Sequence, residues 1–88
     1  MKGYELTEQD RERLENDFVY HQPVHEQQVV KYQQVRDCFR ELAEFIMRSC
    51  PPSRERSVAL TQLELANFEA NAAIARHETA DDYKGMEG

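Results

Sequence analysis

Arg36 interrupts an apolar stripe. Val29, Tyr32, Arg36, Phe39, Ala43, Ile46 and Cys50 recur with spacings of three and four, which puts all seven on one side of a helix. A guanidinium keeps its charge at any physiological pH, so burying it in such a seam costs several kcal/mol, roughly, unless an anion or carboxylate meets it. Two chemistries answer that need. One is an ion pair inside the fold, with Glu64 or Glu69 across a hairpin, or an ordinary solvated helix surface shared with Asp37, Arg40 and Glu41. The other is a phosphate or nucleobase contact at a subunit junction, where a planar guanidinium forks onto oxygens and stacks on rings. Periodicity leaves both open.

Tyr20 stands in the link before Pro23, where a ring is not committed to a helix face. It either packs the helix junction or offers a flat stacking platform to a base. Tyr32, inside the stripe, reads as core. Arg76, after Ile74-Ala75, either caps a helix dipole or, multiplied by symmetry, makes a ring of positive charge suited to a cyclic phosphate. Asn67 and Asn71 are polar insertions at i, i+4, a pattern that fixes register between helices. His21, His25 and Glu26 have the spacing of metal ligands, but Pro23 separates His21 from the helix that carries His25, and no third ligand is evident. No metal or cofactor is expected. There is no glycine-rich phosphate loop, no Ser/His/Asp or Cys/His arrangement on a defined turn and no forced acid pair, which favours binding over turnover and argues against an enzyme.

These residues are held by an expected all-α architecture, a long antiparallel helical hairpin with a short N-terminal helix. Thr7 followed by Asp10 starts an acidic helix over Glu8 to Val19, with Leu14 and Phe18 on one narrow face that must lie on the hairpin or on a neighbouring subunit. Residues 1–23 form this helix and the link ending at Pro23. Residues 24–78 form the hairpin: Val24 to Cys50, a stop at Pro51-Pro52, Ser53 as N-cap, then Arg54 to Glu78. Ala59, Ala66, Ala70 and Ala73 give the last helix a small inner surface. Residues 79–88 lack periodicity and read as a disordered acidic tail.

One helix-helix seam in 88 residues encloses little core, so a compact homo-oligomer is expected. The formal charge of −6 comes from 17 acids and 11 bases without a basic run, which makes polymeric nucleic acid a poor partner. Cys38 and Cys50 form no CxxC pair and read as reduced, partly buried thiols. No apolar run is long enough for a membrane span, and Met1-Lys2-Gly3 does not lead into a signal peptide.

The order Tyr20-His21-x-Pro23, Val35-Arg36-Asp37, Cys50-Pro51-x-Ser53-Arg54-Glu55-Arg56-Ser57-x-Ala59-Leu60-Thr61 and Ala70-Asn71-Ala72-Ala73-Ile74-Ala75-Arg76 resembles the small phage anti-CBASS proteins that act as cyclic-oligonucleotide sponges. Their helical hairpin is shared with the anti-Thoeris sponges. The resemblance implies a homohexamer in the host bacterial cytoplasm that captures cyclic dinucleotides such as cyclic GMP-AMP, and cyclic trinucleotides such as cyclic tri-adenylate at separate sites, without cleaving them. By position it assigns base stacking to Tyr20, a dinucleotide phosphate contact to Arg36, where relatives often have lysine, and the trinucleotide site to Arg76. Glu69 departs from the large apolar residue expected there. The alternative reading is an acidic helical interaction module that blocks a host protein by contact, with Arg36 paired internally.

Overall fold

The computed structural model describes residues 3–86. Three helices follow in order, α1 (Glu8–Asp17), α2 (Glu26–Ser49) and α3 (Arg54–His77), and a single 3-10 turn spans Ala80–Tyr83. α2 and α3 pack as the antiparallel hairpin, each 24 residues long and so about 36 Å at roughly 1.5 Å per residue.

Local chemistry sets the ends of each helix. Thr7 Oγ1 accepts the Asp10 N–H at 3.0 Å and Asp10 Oδ2 accepts the Thr7 N–H at 3.0 Å, a reciprocal cap that satisfies two otherwise orphaned donors. The Thr7 amide and hydroxyl hold the Asp10 carboxyl below the usual carboxylate range. α2 starts two residues later than its apolar pattern suggests, because the ring Nδ1 of His25 caps it by accepting from Gln27 N at 2.9 Å. Ser53 Oγ caps α3 through Arg56 N at 3.1 Å. Beyond the prolines, Arg56 reaches back to the end of α2 and donates to Met47 O at 2.9 Å and Cys50 O at 3.2 Å, where a cation favours the helix dipole.

The seam follows the expected stripe at Tyr32, Phe39, Ala43 and Ile46 and leaves it at Val29, Arg36 and Cys50. Tyr32, Val35, Phe39, Ala43 and Ile46 are half-buried on α2, and Leu60, Leu63, Asn67, Ala70 and Ile74 on α3, while Val29, Arg36 and Cys50 face solvent. The apolar face of α2 is wide, so several stripes fit the 3.6 period equally well, and the hairpin uses the one that keeps Arg36 out. Both thiols are free and exposed, not partly buried. Asn71 bonds to Asn67 along α3 instead of across the seam.

The largest departure from expectation is at the C-terminus. Residues 79–86 are not a disordered tail: Thr79 N donates to Asp82 Oδ2 at 2.7 Å, and Tyr83 O accepts from Met86 N at 3.1 Å across Gly85, whose φ of +87° favours glycine. Tyr83 is thereby turned back onto the first turn of α2, where its ring stacks on His25 at 5.3 Å with an 8° tilt.

Among the described residues only Gln28 and Tyr83 are buried, at 2% and 6% exposure. The chain is a plate of 51 × 49 × 13 Å, about one helix thick, and a single layer leaves its faces wet. Its accessible surface is 7608 Å², against about 5,400 Å² for a folded monomer of this mass. Phe18, Phe45 and Phe68 are exposed, and neither Leu14 nor Phe18 of the N-terminal segment packs away on the hairpin.

Candidate functional site

Arg36 sits on a ridge between two depressions. Towards the Pro51-Pro52 turn lies a mainly apolar trough lined by Phe39, Ala43, Met47, Leu60 and Leu63, with Arg40, Asp37 and Glu64 also in its lining. Towards the open end lies a groove of about 360 Å³ lined by Tyr20, Pro23, Tyr32, Arg36, Asn71 and the small residues Ala72 and Ala75. The second has the chemistry of a ligand seat. It combines an aromatic platform, a cation, amide groups and a floor of alanines that admits a flat ring.

Each member of the groove is presented differently. Pro23 ends the link and holds Tyr20 outside the helices, with the ring 82% exposed. Tyr32 is half-buried; burial first, and then the negative charge of Glu78, pushes its phenol up, so it stays a neutral hydroxyl at any ordinary pH. Arg36 donates to Gln33 Oε1 at 3.0 Å and, among the described residues, makes no ion pair. Neither Glu64 nor Glu69 engages it. Asn71 Nδ2 donates to Asn67 O and Oδ1, both at 2.9 Å, but its own Oδ1 is shielded and without a partner, an acceptor facing the cost of an unmade hydrogen bond.

Arg76 is elsewhere. It does not line the groove shared by Tyr20 and Arg36. Its Nη2 donates to Asp17 O at 3.3 Å, and its Nη1 lies 3.7 Å from Asp17 Oδ1, so it ties the end of α1 to α3. His21 Nε2 donates to Asn16 O at 2.6 Å and completes the same junction.

A third cluster, which sequence reasoning missed, closes the open end of the hairpin. Glu78 accepts from Lys31 Nζ, from the Tyr83 hydroxyl, and from Gln28 Nε2 at 3.3 Å. Gln28 Oε1 in turn accepts the Val24 N–H at 3.0 Å, so its burial leaves no side-chain atom unpaired. Lys31 and then Tyr83 hold the Glu78 carboxyl below its ordinary value, and Glu78 raises Lys31. Burial, then the bond to Glu78, raises the Tyr83 phenol. The available signal was Thr79-x-x-Asp82, which repeats the Thr7-x-x-Asp10 spacing of the first helix start. The cluster anchors the first turn of α2, directly after the link that carries Tyr20.

Among the described residues no group of three His, Cys, Asp or Glu side chains is close enough to hold a metal ion, and no helix is long and apolar enough to cross a membrane. Residues 10–75, well over half of the chain, match the family model described as Acb2/Tad1, hairpin domain. Neither the curated proteins nor the solved structures yield a match to the chain.

Proposed function

The chain belongs to the Acb2/Tad1 hairpin-domain family of anti-CBASS and anti-Thoeris sponges, and from that premise we propose that it sequesters the cyclic dinucleotide messengers of host defence without cleaving them. The observation that carries the proposal is the groove in which Tyr20, Arg36 and Asn71 meet. Arg36, which makes no ion pair among the described residues, supplies a phosphate contact, and Tyr20 stacks on a base. Cyclic trinucleotides are assigned to a separate place around Arg76. The setting is the cytoplasm of an infected bacterium.

The same proposal includes a homohexamer. A chain exposing some 2,000 Å² more than a monomer of its mass is on the scale of an obligate interface. The apolar trough beside Arg36 suits a neighbouring helix, which would wall the groove from the other side and exclude water from the phosphate contact. The competing reading, an interaction module with Arg36 paired internally, loses support from the absence of that pair among the described residues.

The test mixes purified protein with a panel of cyclic dinucleotides and trinucleotides, measures free ligand, then heats the complex and measures what returns. Depletion followed by release of intact ligand is expected, with Tyr20→Ala and Arg36→Ala each weakening dinucleotide capture about tenfold or more. Cleaved product, or a panel left wholly in solution, rejects the sponge reading.

A further inference from the structure

α1 is fastened to the hairpin at one end only. Leu14 and Phe18 remain exposed, and the polar attachment to the hairpin is the Arg76 guanidinium on both the carbonyl and the carboxylate of Asp17, while His21, in the link, donates to the Asn16 carbonyl. Asp17 is the last residue of α1, where the negative end of the helix dipole disfavours a carboxylate. The charge is tolerated because cations come to it. Arg13 Nε is 3.4 Å from Oδ2, and Asn16 Nδ2 donates to Oδ1 at 2.9 Å.

This arrangement makes the Arg76 contact replaceable from Asp17's side. If Arg76 leaves, Asp17 keeps Arg13 and Asn16, both within its own helix, so no stranded charge results. Little apolar packing would have to be torn away with it. From the side of Arg76, whose side chain is 34% exposed, the carboxylate occupies donors that a phosphate oxygen would use.

We propose that Asp17 is a built-in competitor for Arg76, and that α1 is a displaceable latch which an anionic ligand must lift before this guanidinium accepts it. Asp17 is then a specificity determinant: it penalises ligands that offer Arg76 a single weak acceptor and passes those whose phosphates outbid one carboxylate. This inference rests on the reading of Arg76 as a phosphate contact.

The experiment uses the full chain with cyclic tri-adenylate as the probe for Arg76 and a captured cyclic dinucleotide as the probe for the Tyr20–Arg36 groove, with hydrogen exchange of the α1 amides as a second readout. Asp17→Asn keeps the size of the side chain and its bond to Asn16, and is expected to tighten trinucleotide binding up to about fivefold, the scale of a partly exposed ion pair, without changing dinucleotide affinity. Arg76→Ala is expected to abolish trinucleotide binding and, without ligand, to speed α1 exchange as ligand does in the wild type. If Arg76→Ala leaves trinucleotide binding intact, the phosphate role of Arg76 fails and the latch with it. If Arg76→Ala abolishes binding but Asp17→Asn fails to tighten it, or if α1 exchange is the same with and without Arg76, the latch alone is overturned.

Discussion

Lys31 on α2 and Glu78 at the end of α3 form an ion pair across the open end of the hairpin, where no loop joins the two helices. The Tyr83 ring lies against it, 5.6 Å from Lys31 Nζ to the ring centroid, with its hydroxyl on Glu78. A hairpin held covalently at one end and by the side chains of Gln28, Lys31, Glu78 and Tyr83 at the other resists splaying at both.

The pair sets a pH dependence. Glu78 is depressed, so its contribution is complete above about pH 4.3, the ordinary carboxylate value, and is lost as pH falls through the lowered one. Lys31 is raised, so its share is complete below about pH 10.4 and is lost as pH rises through its own. With Lys31 44% exposed, Lys31→Ala should cost only about 0.2–1 kcal/mol. Ultraviolet titration of the four tyrosines should show Tyr32 and Tyr83 ionising late, and Tyr83→Phe should remove one of that late pair.

Tyr83 itself should be worth more than the ion pair. Tyr83→Ala removes both the stacking on His25 and the bond to Glu78, and is expected to cost about 3 kcal/mol, with faster hydrogen exchange in the first turn of α2. Tyr83→Phe keeps the ring and should cost about 1 kcal/mol. Equal melting temperatures for Tyr83→Ala and wild type would mean that the turn does not brace the hairpin.

Arg36 should be nearly silent in stability. It is exposed and, among the described residues, bonded only to Gln33, one turn away on its own helix, so Arg36→Ala should shift unfolding by no more than about 0.5 kcal/mol without ligand. A larger loss in thermal denaturation would mean that the guanidinium is built into the fold or its assembly.

The exposed apolar side chains should respond in the opposite way. Phe45→Lys or Phe68→Lys, at positions 66% and 58% exposed, places a charge on apolar surface outside the trough that the proposed assembly would also cover. Sedimentation velocity should show smaller species for these variants; unchanged particles would exclude both rings from the interface.

What the sequence disclosed was local in origin. Thr7 with Asp10, Ser53 after Pro51-Pro52, and the stop at Pro23 act on their own neighbourhoods, so their spacing alone foretells where helices start and end. Arg36 shows the limit. Its place relative to the seam depends on which of several apolar stripes α3 selects, and that choice is made by packing. The tail shows another. Tyr83 has no periodic partners, and its worth arises from His25, Lys31 and Glu78, brought together only once the hairpin has closed. Of the residues expected to carry the site, Tyr20 and Arg36 line one groove while Arg76 pairs with Asp17, a contact between positions 59 residues apart that no spacing rule encodes.

Among the described residues only Gln28 and Tyr83 are shielded, so a lone copy has little buried structure with which to resist proteases. In the proposed assembly copies meet by mass action, so protection from cleavage would rise with concentration. Limited proteolysis would then read the assembly directly: dilute protein is cut, and concentrated protein persists.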